Sequence, residues 1–293
     1  MMKLPTSVAP IRLVLFDAFD TLVTPRSAPH LQYAAVARQY GFNVCDNDVK
    51  SAFKQAFRAT SIEHPNYGLE SGIASPDEWW KLVIQRTFSP HLHSCVSSQH
   101  YSDRIDSLSH TLVTRFGTSE AYHLFDDVIP TLRTLSRTYT ADGRPLQLAL
   151  ATNSDSRILS VLKSFGLDQF LELDVASAQT KTSGPTLSYF EKCAKPDSRF
   201  FHAAIRRASF SATAETLNAA NVLYVGDQLH EDFWGATNAG LQAAWLQRPT
   251  NFQSNQPYQH IDNHRNTEHD EAYVHDRTIP SLECLVDIVT HTN

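Results

Sequence analysis

The chain has 293 residues, 42% hydrophobic and 19% charged, with 25 Lys+Arg against 31 Asp+Glu and a formal net charge of -6. That apolar fraction excludes a mainly disordered chain, and the length allows one large domain or two smaller ones. The acidic balance and the lack of any Lys/Arg-rich run argue against a nucleic-acid binder, and apolar runs such as Leu13–Phe16 fall far short of the ~18 residues of a membrane span.

The first predicted element is a strand over Ile11–Phe16 that runs directly into the polar turn Asp17-Ala18-Phe19-Asp20-Thr21. About 130 residues then precede the next strand, far more than the ~10–12 of a minimal crossover, so a segment is inserted. The insert reads helical. Val49, Ala52, Phe53, Ala56 and Phe57 share one helical face, as do Ile105, Leu108, Leu112, Val113 and Phe116 before Gly117. Ser75-Pro76-Asp77-Glu78 is a capping box that opens a helix carrying Trp79, Trp80 and Val83.

A second strand, Gln147–Ala151, leads into Thr152-Asn153-Ser154-Asp155, and a helix over Arg157–Phe165 closes at Gly166. Leu171–Val175 reads as a weaker strand and Gln179–Cys193 as a polar loop before Lys195-Pro196-Asp197. The third strand, Asn221–Val225, leads into Gly226-Asp227; a helix over Asp232–Ala239 closes at Gly240, and Gln242–Leu246 is another strand. Pro249–Arg277 reads as a polar loop before a terminal helix with Leu282, Leu285, Val286 and Val289. His260, His264, His269 and His275 are too irregularly spaced there to read as a metal site. The pattern predicts an α/β fold: a Rossmann-like parallel sheet core from residues 1–24 and 121–293, with an inserted all-helical cap over 25–120.

Met1–Arg12 has no apolar leader segment, and Cys45, Cys95, Cys193 and Cys284 form no CxxC pair. These features predict reduced core thiols in a cytoplasmic protein, the nucleus and mitochondrion remaining open, and neither a disulfide framework nor a zinc site.

In parallel sheets ligands bind outside the carboxyl ends of the strands, where all three loaded turns fall. Asp17 there can act as a nucleophile, or as a plain cap of its turn. Thr152 and Asn153 offer a hydroxyl and an amide for phosphoryl or carboxylate oxygens, or a helix start. Lys195 can bring a positive charge to Asp17, or lie on the surface. Asp227 and Asp232, with Asp17, make an oxygen-ligand set suited to Mg²⁺.

The ordered pieces Leu13-Val14-Leu15-Phe16-Asp17-Ala18-Phe19-Asp20-Thr21-Leu22, Ala151-Thr152-Asn153-Ser154-Asp155, Lys195-Pro196-Asp197 and Gly226-Asp227 to Asp232 resemble the haloacid dehalogenase superfamily of hydrolases. In the cap, Pro65-Asn66-Tyr67-Gly68 and Trp79-Trp80 look like its eukaryotic subgroup called haloacid dehalogenase-like hydrolase domain-containing protein 3. The resemblance implies a helical cap inserted after the first strand. It implies Asp17 as nucleophile, Thr152 and Asn153 as holders of substrate oxygens, and Lys195 as the residue that steadies nucleophile and substrate charge. It also implies that Asp17, Asp227, Asp232 and the backbone carbonyl of Phe19 hold Mg²⁺.

One position departs from the phosphatase pattern. Those enzymes carry a second Asp two residues after the nucleophile to protonate the leaving oxygen, and here that residue is Phe19. General acid–base help of roughly 10²–10⁴-fold is then missing. Asp20 follows, where the family has glycine; side-chain alternation along an extended segment aims it away from the crevice, and a kink brings it back. Asp17-Ala18-Phe19 is also similar to the metal-independent 2-haloacid dehalogenases, which use a cap arginine to grip the halide; Arg38 is the nearest candidate. Three functions follow: a slow or specialised Mg²⁺-dependent phosphatase of a small phosphorylated metabolite, a dehalogenase-type hydrolase, or a catalytically impaired pseudoenzyme that binds a ligand or protein. Tyr67, Trp79 and Trp80 either line the crevice or pack the cap, and Arg157 meets an anionic substrate or pairs with an acid. No nucleic-acid or membrane partner is expected, and the oligomeric state is open.

Overall fold

The computed structural model of the chain describes residues 9–89, 98–140, 143–180, 183–211, 217–249 and 268–292. In chain order these form β1 (Leu13–Phe16), β2 (Val23–Pro25), α1 (Pro29–Gln39), α2 (Asp46–Glu63), α3 (Pro76–Phe88), α4 (Ser98–Arg115), β3 (Tyr122–Leu124), α5 (Val128–Leu135) and β4 (Gln147–Thr152). There follow α6 (Arg157–Ser164), α7 (Val175–Thr180), β5 (Thr186–Leu187), α8 (Ser188–Glu191), α9 (Ser198–Ser211), β6 (Val222–Gly226) and a π-helical turn, Leu229–Trp234. The chain ends in α10 (Gly235–Asn238), β7 (Gln242–Leu246), α11 (Glu268–His275), β8 (Thr278–Ile279) and α12 (Cys284–Thr292). Two compact units result, one of Met1–Thr24, Leu124–Ser154 and Phe165–Asn293, the other of Pro25–His123 and Asp155–Ser164.

The first unit holds a six-stranded parallel sheet of order β5-β4-β1-β6-β7-β8, with helices packed on it. All four residues of β1 are buried, as expected of a central strand covered on both faces. Phe200, Phe201 and Ala204 of α9, with Phe233 and Ala236, pack on Leu13, Leu15, Val222 and Tyr224. Phe16 pairs with Leu150 on one side and Val225 on the other. Strands β4, β1 and β6 therefore end almost level, and the residues that follow them emerge side by side at one edge of the sheet.

The second unit packs α2 against α1 and α3, and α3 against α4. Ser75 caps α3 as its capping box requires, its Oγ accepting from the Glu78 amide at 3.3 Å, with Pro76 in the first turn. Trp79 is buried with Ala56 and Val83, and Phe53, Phe57, Tyr67 and Trp80 pack around them.

Several expectations need correction. Leu171–Val175 is not a strand: Leu171 and Leu173 are buried while Glu172 and Asp174 are exposed, so the alternation reflects one-sided burial of an extended connection. The edge strand is β5, which with α8 lies inside the stretch expected to be a loop over Gln179–Cys193. The helix expected over Asp232–Ala239 begins earlier, as the π-helical turn, and runs into α10. Of Pro249–Arg277, residues 250–267 lie outside the described residues, as do His260 and His264, and α11 occupies most of the rest. His269 falls within α11, and His275, its last residue, is exposed. Cys95 also lies outside the described residues; Cys45, Cys193 and Cys284 are in no disulfide, Cys193 is half-buried against the core, and Cys45 is no core thiol, being exposed and accepting from the Asp48 amide at the start of α2.

Asp127 fastens the carboxyl-terminal part of the sheet to α5. Its Oδ2 accepts from Arg248 Nη1 at 2.8 Å, Ser281 Oγ at 2.9 Å and the Leu282 amide at 2.8 Å. Burial pushes its carboxyl up, but the Arg248 hydrogen bond, the Leu282 amide and the Arg248 charge together hold it below its ordinary value. A carboxylate depressed in the folded state contributes stability above its unfolded pKa and loses it as the pH falls through the folded one. Asp127→Asn is thus expected to lower the Tm at pH 7, and the gap from wild type should close as the pH drops below about 4. A pH series of thermal melts checks this; a gap that stays constant with pH contradicts it.

Candidate active site

Asp17 follows β1, Thr152 ends β4, and Asp227 follows β6, so three neighbouring strands deliver three of the expected residues to one edge. Lys195 arrives from the connection between α8 and α9. Its Nζ donates to Asp17 Oδ1 at 2.7 Å, Asp232 Oδ1 at 2.6 Å and the Tyr224 hydroxyl at 2.9 Å. The Tyr224 hydroxyl in turn donates to the Ala151 carbonyl at 2.7 Å, which ties β6 to β4 behind the ammonium. All three N–H donors of the lysine are therefore satisfied in a buried position. Burial works against its charge, but Asp17 and Asp232 outweigh it and hold the ammonium protonated well above its ordinary range.

Asp232 is fully buried. Its Oδ2 accepts from the Gln228 amide at 2.9 Å, and its neighbour Gly226 leaves it room: a Cβ there would lie 2.2 Å from Asp232 Oδ2. Burial pushes the Asp232 carboxyl up to about 6, opposed by Lys195 and reinforced by Asp17. Asp227 is pushed well above the carboxylate range, by burial first and then by Asp232, Asp17 and Asp20. Gln228 Nε2 donates to Asp227 Oδ2 at 2.6 Å, and Trp245 Nε1 donates to the Asp227 carbonyl at 2.8 Å. Asp17, Asp227 and Asp232 each place an oxygen within 4.8 Å of the others. One ammonium faces this group of carboxylates, and the excess negative charge, visible in the raised Asp227 and Asp232, is what a small hard cation would relieve. The donor set fits Mg²⁺.

The Asn153 side chain bonds to the Lys195 backbone and to Glu231. Its Oδ1 accepts from the Lys195 amide at 2.8 Å, while its Nδ2 donates to the Lys195 carbonyl at 3.1 Å and to Glu231 Oε2 at 3.2 Å. It clips the backbone of the lysine whose ammonium meets Asp17. Thr152 is buried, and among the described residues its hydroxyl has no hydrogen-bond partner. Phe19 is half-buried in the turn after Asp17, bridged to Val23. Asp20 takes a left-handed backbone (φ 55°), a conformation that Asp tolerates better than most residues, so the alternation of an extended segment does not apply to it. Its carboxylate is buried, accepts from Thr24 Oγ1 at 2.7 Å and adds to the negative field at Asp227. Arg38 pairs with Asp46 at 2.9 Å, both about half exposed.

Tyr224, Gln228, Glu231 and the cradle at Gly226 were not anticipated. Tyr224 carried a signal, being a polar-tipped ring in an otherwise aliphatic strand, which needs a partner when buried. The other positions have no signal short of the folded geometry.

A family model described as haloacid dehalogenase-like hydrolase matches residues 11–240. The chain belongs to that family. Among its relatives, the mouse haloacid dehalogenase-like hydrolase domain-containing protein 3 is 30% identical over 233 residues, which is 80% of either chain. Two solved haloacid dehalogenase-like hydrolases share the fold. A 2-haloacid dehalogenase from Pseudomonas syringae pv. Tomato aligns with a TM-score of 0.59 at 19% identity, over 97% of this chain and 100% of that one. A HAD phosphatase from Thermococcus onnurineus aligns at 0.52 and 18%, over 95% and 98%. The fold therefore serves both chemistries, and the site has to choose between them. No helix among the described residues is long and apolar enough to cross a membrane.

Proposed function

We propose that the protein is a Mg²⁺-dependent phosphatase of small phosphomonoesters in which Asp17 is the nucleophile. The observation that carries this reading is the convergence of Asp17, Asp227 and Asp232, with oxygens within 4.8 Å of one another, and the Lys195 ammonium bonded to Asp17 and Asp232. Asp17, Asp227, Asp232 and the Phe19 carbonyl would hold the metal, which when bound neutralises phosphoryl oxygens and steadies the charge that develops on them.

Lys195 holds the Asp17 carboxylate in place through its 2.7 Å hydrogen bond, which a nucleophile needs. An Asp17 oxygen attacks phosphorus, the phosphorus–oxygen ester bond breaks, and the leaving oxygen departs with the bonding pair. The Thr152 hydroxyl is available to donate to a phosphoryl oxygen, and the Asn153 clip holds the lysine in register. Water then attacks the phosphorus of the aspartyl-phosphate, freeing phosphate and Asp17. Phe19 can deliver no proton to the leaving oxygen, so esters with good leaving groups are favoured. The metal-independent dehalogenase reading has less support, because Arg38, its nearest halide-gripping candidate, is paired with Asp46.

Purified protein given 4-nitrophenyl phosphate is expected to release phosphate with Mg²⁺, to stop on adding chelator, and to fall to background on Asp17→Asn. Chelator-insensitive halide release from 2-haloacids would replace this reading with the dehalogenase. Silence on every substrate, with Mg²⁺ still raising the Tm, would replace it with a binding protein that does not turn over.

A further inference from the structure

Arg157, Asp155, Trp80, Tyr33, Tyr67 and Tyr122 all belong to the second unit, and none takes part in the chemistry above. Arg157 opens α6 with its side chain only 15% exposed. Asp155 is heavily engaged: Oδ1 accepts from the Arg157 amide at 2.8 Å, Oδ2 accepts from Trp80 Nε1 at 2.9 Å, and the two oxygens take Arg157 Nε at only 3.3 and 3.4 Å. The grip on the guanidinium is thus edge-on and long. Its carbon lies 4.7 Å from the centre of the Trp80 ring, which leaves one face stacked.

Among the described residues the guanidinium hydrogen-bonds only through Nε, and neither terminal nitrogen of Arg157 has a hydrogen-bond partner. Burial works against the charge, and Asp155, then Tyr122, Tyr33 and Asp77, more than restore it, so the cation persists. The phenols of Tyr33, Tyr67 and Tyr122 all lie within its field. Guanidinium donors are costly to leave unpaired in a largely desolvated place, and the pair of terminal nitrogens is the fork that matches two oxygens of a carboxylate or phosphate. The Trp80 ring beside such a fork favours an organic anion over a fully hydrated inorganic one.

We propose that Arg157, stacked on Trp80, is a binding site for the carboxylate or phosphate group of a small organic anion. That group is either a second acid on the phosphorylated substrate, an assignment that rests on the phosphatase reading, or part of a separate effector.

Malonate is titrated calorimetrically into the full chain at fixed ionic strength with chelator present, where the bare carboxylates of Asp17, Asp227 and Asp232 repel a dianion. Saturable binding is expected, weakened at least tenfold by Arg157→Met. Arg157→Lys keeps the charge without the fork and should also bind severalfold less tightly, which separates recognition from loss of fold. No saturable binding, or variants that fold and bind as wild type does, would overturn the site. With Mg²⁺, malonate inhibition that is competitive with 4-nitrophenyl phosphate assigns the ligand to the substrate, and a change in kcat at constant KM assigns it to an effector. A chain with no turnover would sink the phosphatase reading while the titration still decides the anion site.

Discussion

Lys195→Met is expected to abolish turnover and to destabilise the protein by about 3–5 kcal/mol at neutral pH, the usual cost of stranding a buried partner charge. Lys195 is 5% exposed and its ammonium donates to Asp17, Asp232 and Tyr224, and methionine replaces its stem but none of these bonds. Two carboxylates are then left facing each other, with Asp227 beside them, and no protein cation between. Because the cause is uncompensated charge and not lost packing, a divalent cation should restore part of it. Mg²⁺ is therefore expected to raise the urea midpoint more in the variant than in wild type. Arginine is no remedy, since a planar fork does not fit three acceptors arranged around one nitrogen. Urea unfolding with and without Mg²⁺ checks both statements; a variant with the wild-type midpoint would mean that the carboxylates meet their charge at no cost.

The elements around this lysine were legible in the sequence to very different degrees. Strands β1, β4, β6 and β7 were readable because each is a largely apolar run that ends in a polar turn, and in β1 and β6 burial of every residue leaves that run uninterrupted. The glycines that end the helices were readable because the left-handed backbone they adopt is a local requirement: Gly166 and Gly240 have φ of 74° and 85°. Strand β5 was not, since two residues carry no period, and its identity comes only from pairing with Ala151 and Thr152. Leu171 and Leu173 misled for the complementary reason: alternation records which side of a segment is covered, not whether another strand lies beside it. The same division holds at the site. The residue types of Asp17, Lys195, Asp227 and Asp232 were visible, whereas the Asn153 clip depends on a lysine backbone 42 positions away. No spacing rule expresses that contact.

Gly226→Ala is expected to disable the site from a position that touches no substrate. The added Cβ would lie 2.2 Å from Asp232 Oδ2, 2.3 Å from its Cγ and 2.7 Å from its Cβ, so the whole side chain is blocked and no turn of its tip relieves the overlap. Neither partner can retreat easily. Gly226 is held in β6 beside Trp245 of β7, and Asp232 is fixed by Lys195 and by the Gln228 amide. Overpacking of this kind costs about 1–3 kcal/mol, and here it also drives Asp232 off the ammonium and away from Asp17 and Asp227. The Mg²⁺-induced rise in Tm should fall to a small fraction of the wild-type rise. A double-mutant cycle identifies the cause. Asp232→Gly removes the atoms that the new Cβ would strike, so adding Gly226→Ala to it should cost far less stability than adding it to wild type. Equal costs in the two backgrounds would place the damage in the β6 backbone and rule out a collision with the carboxylate.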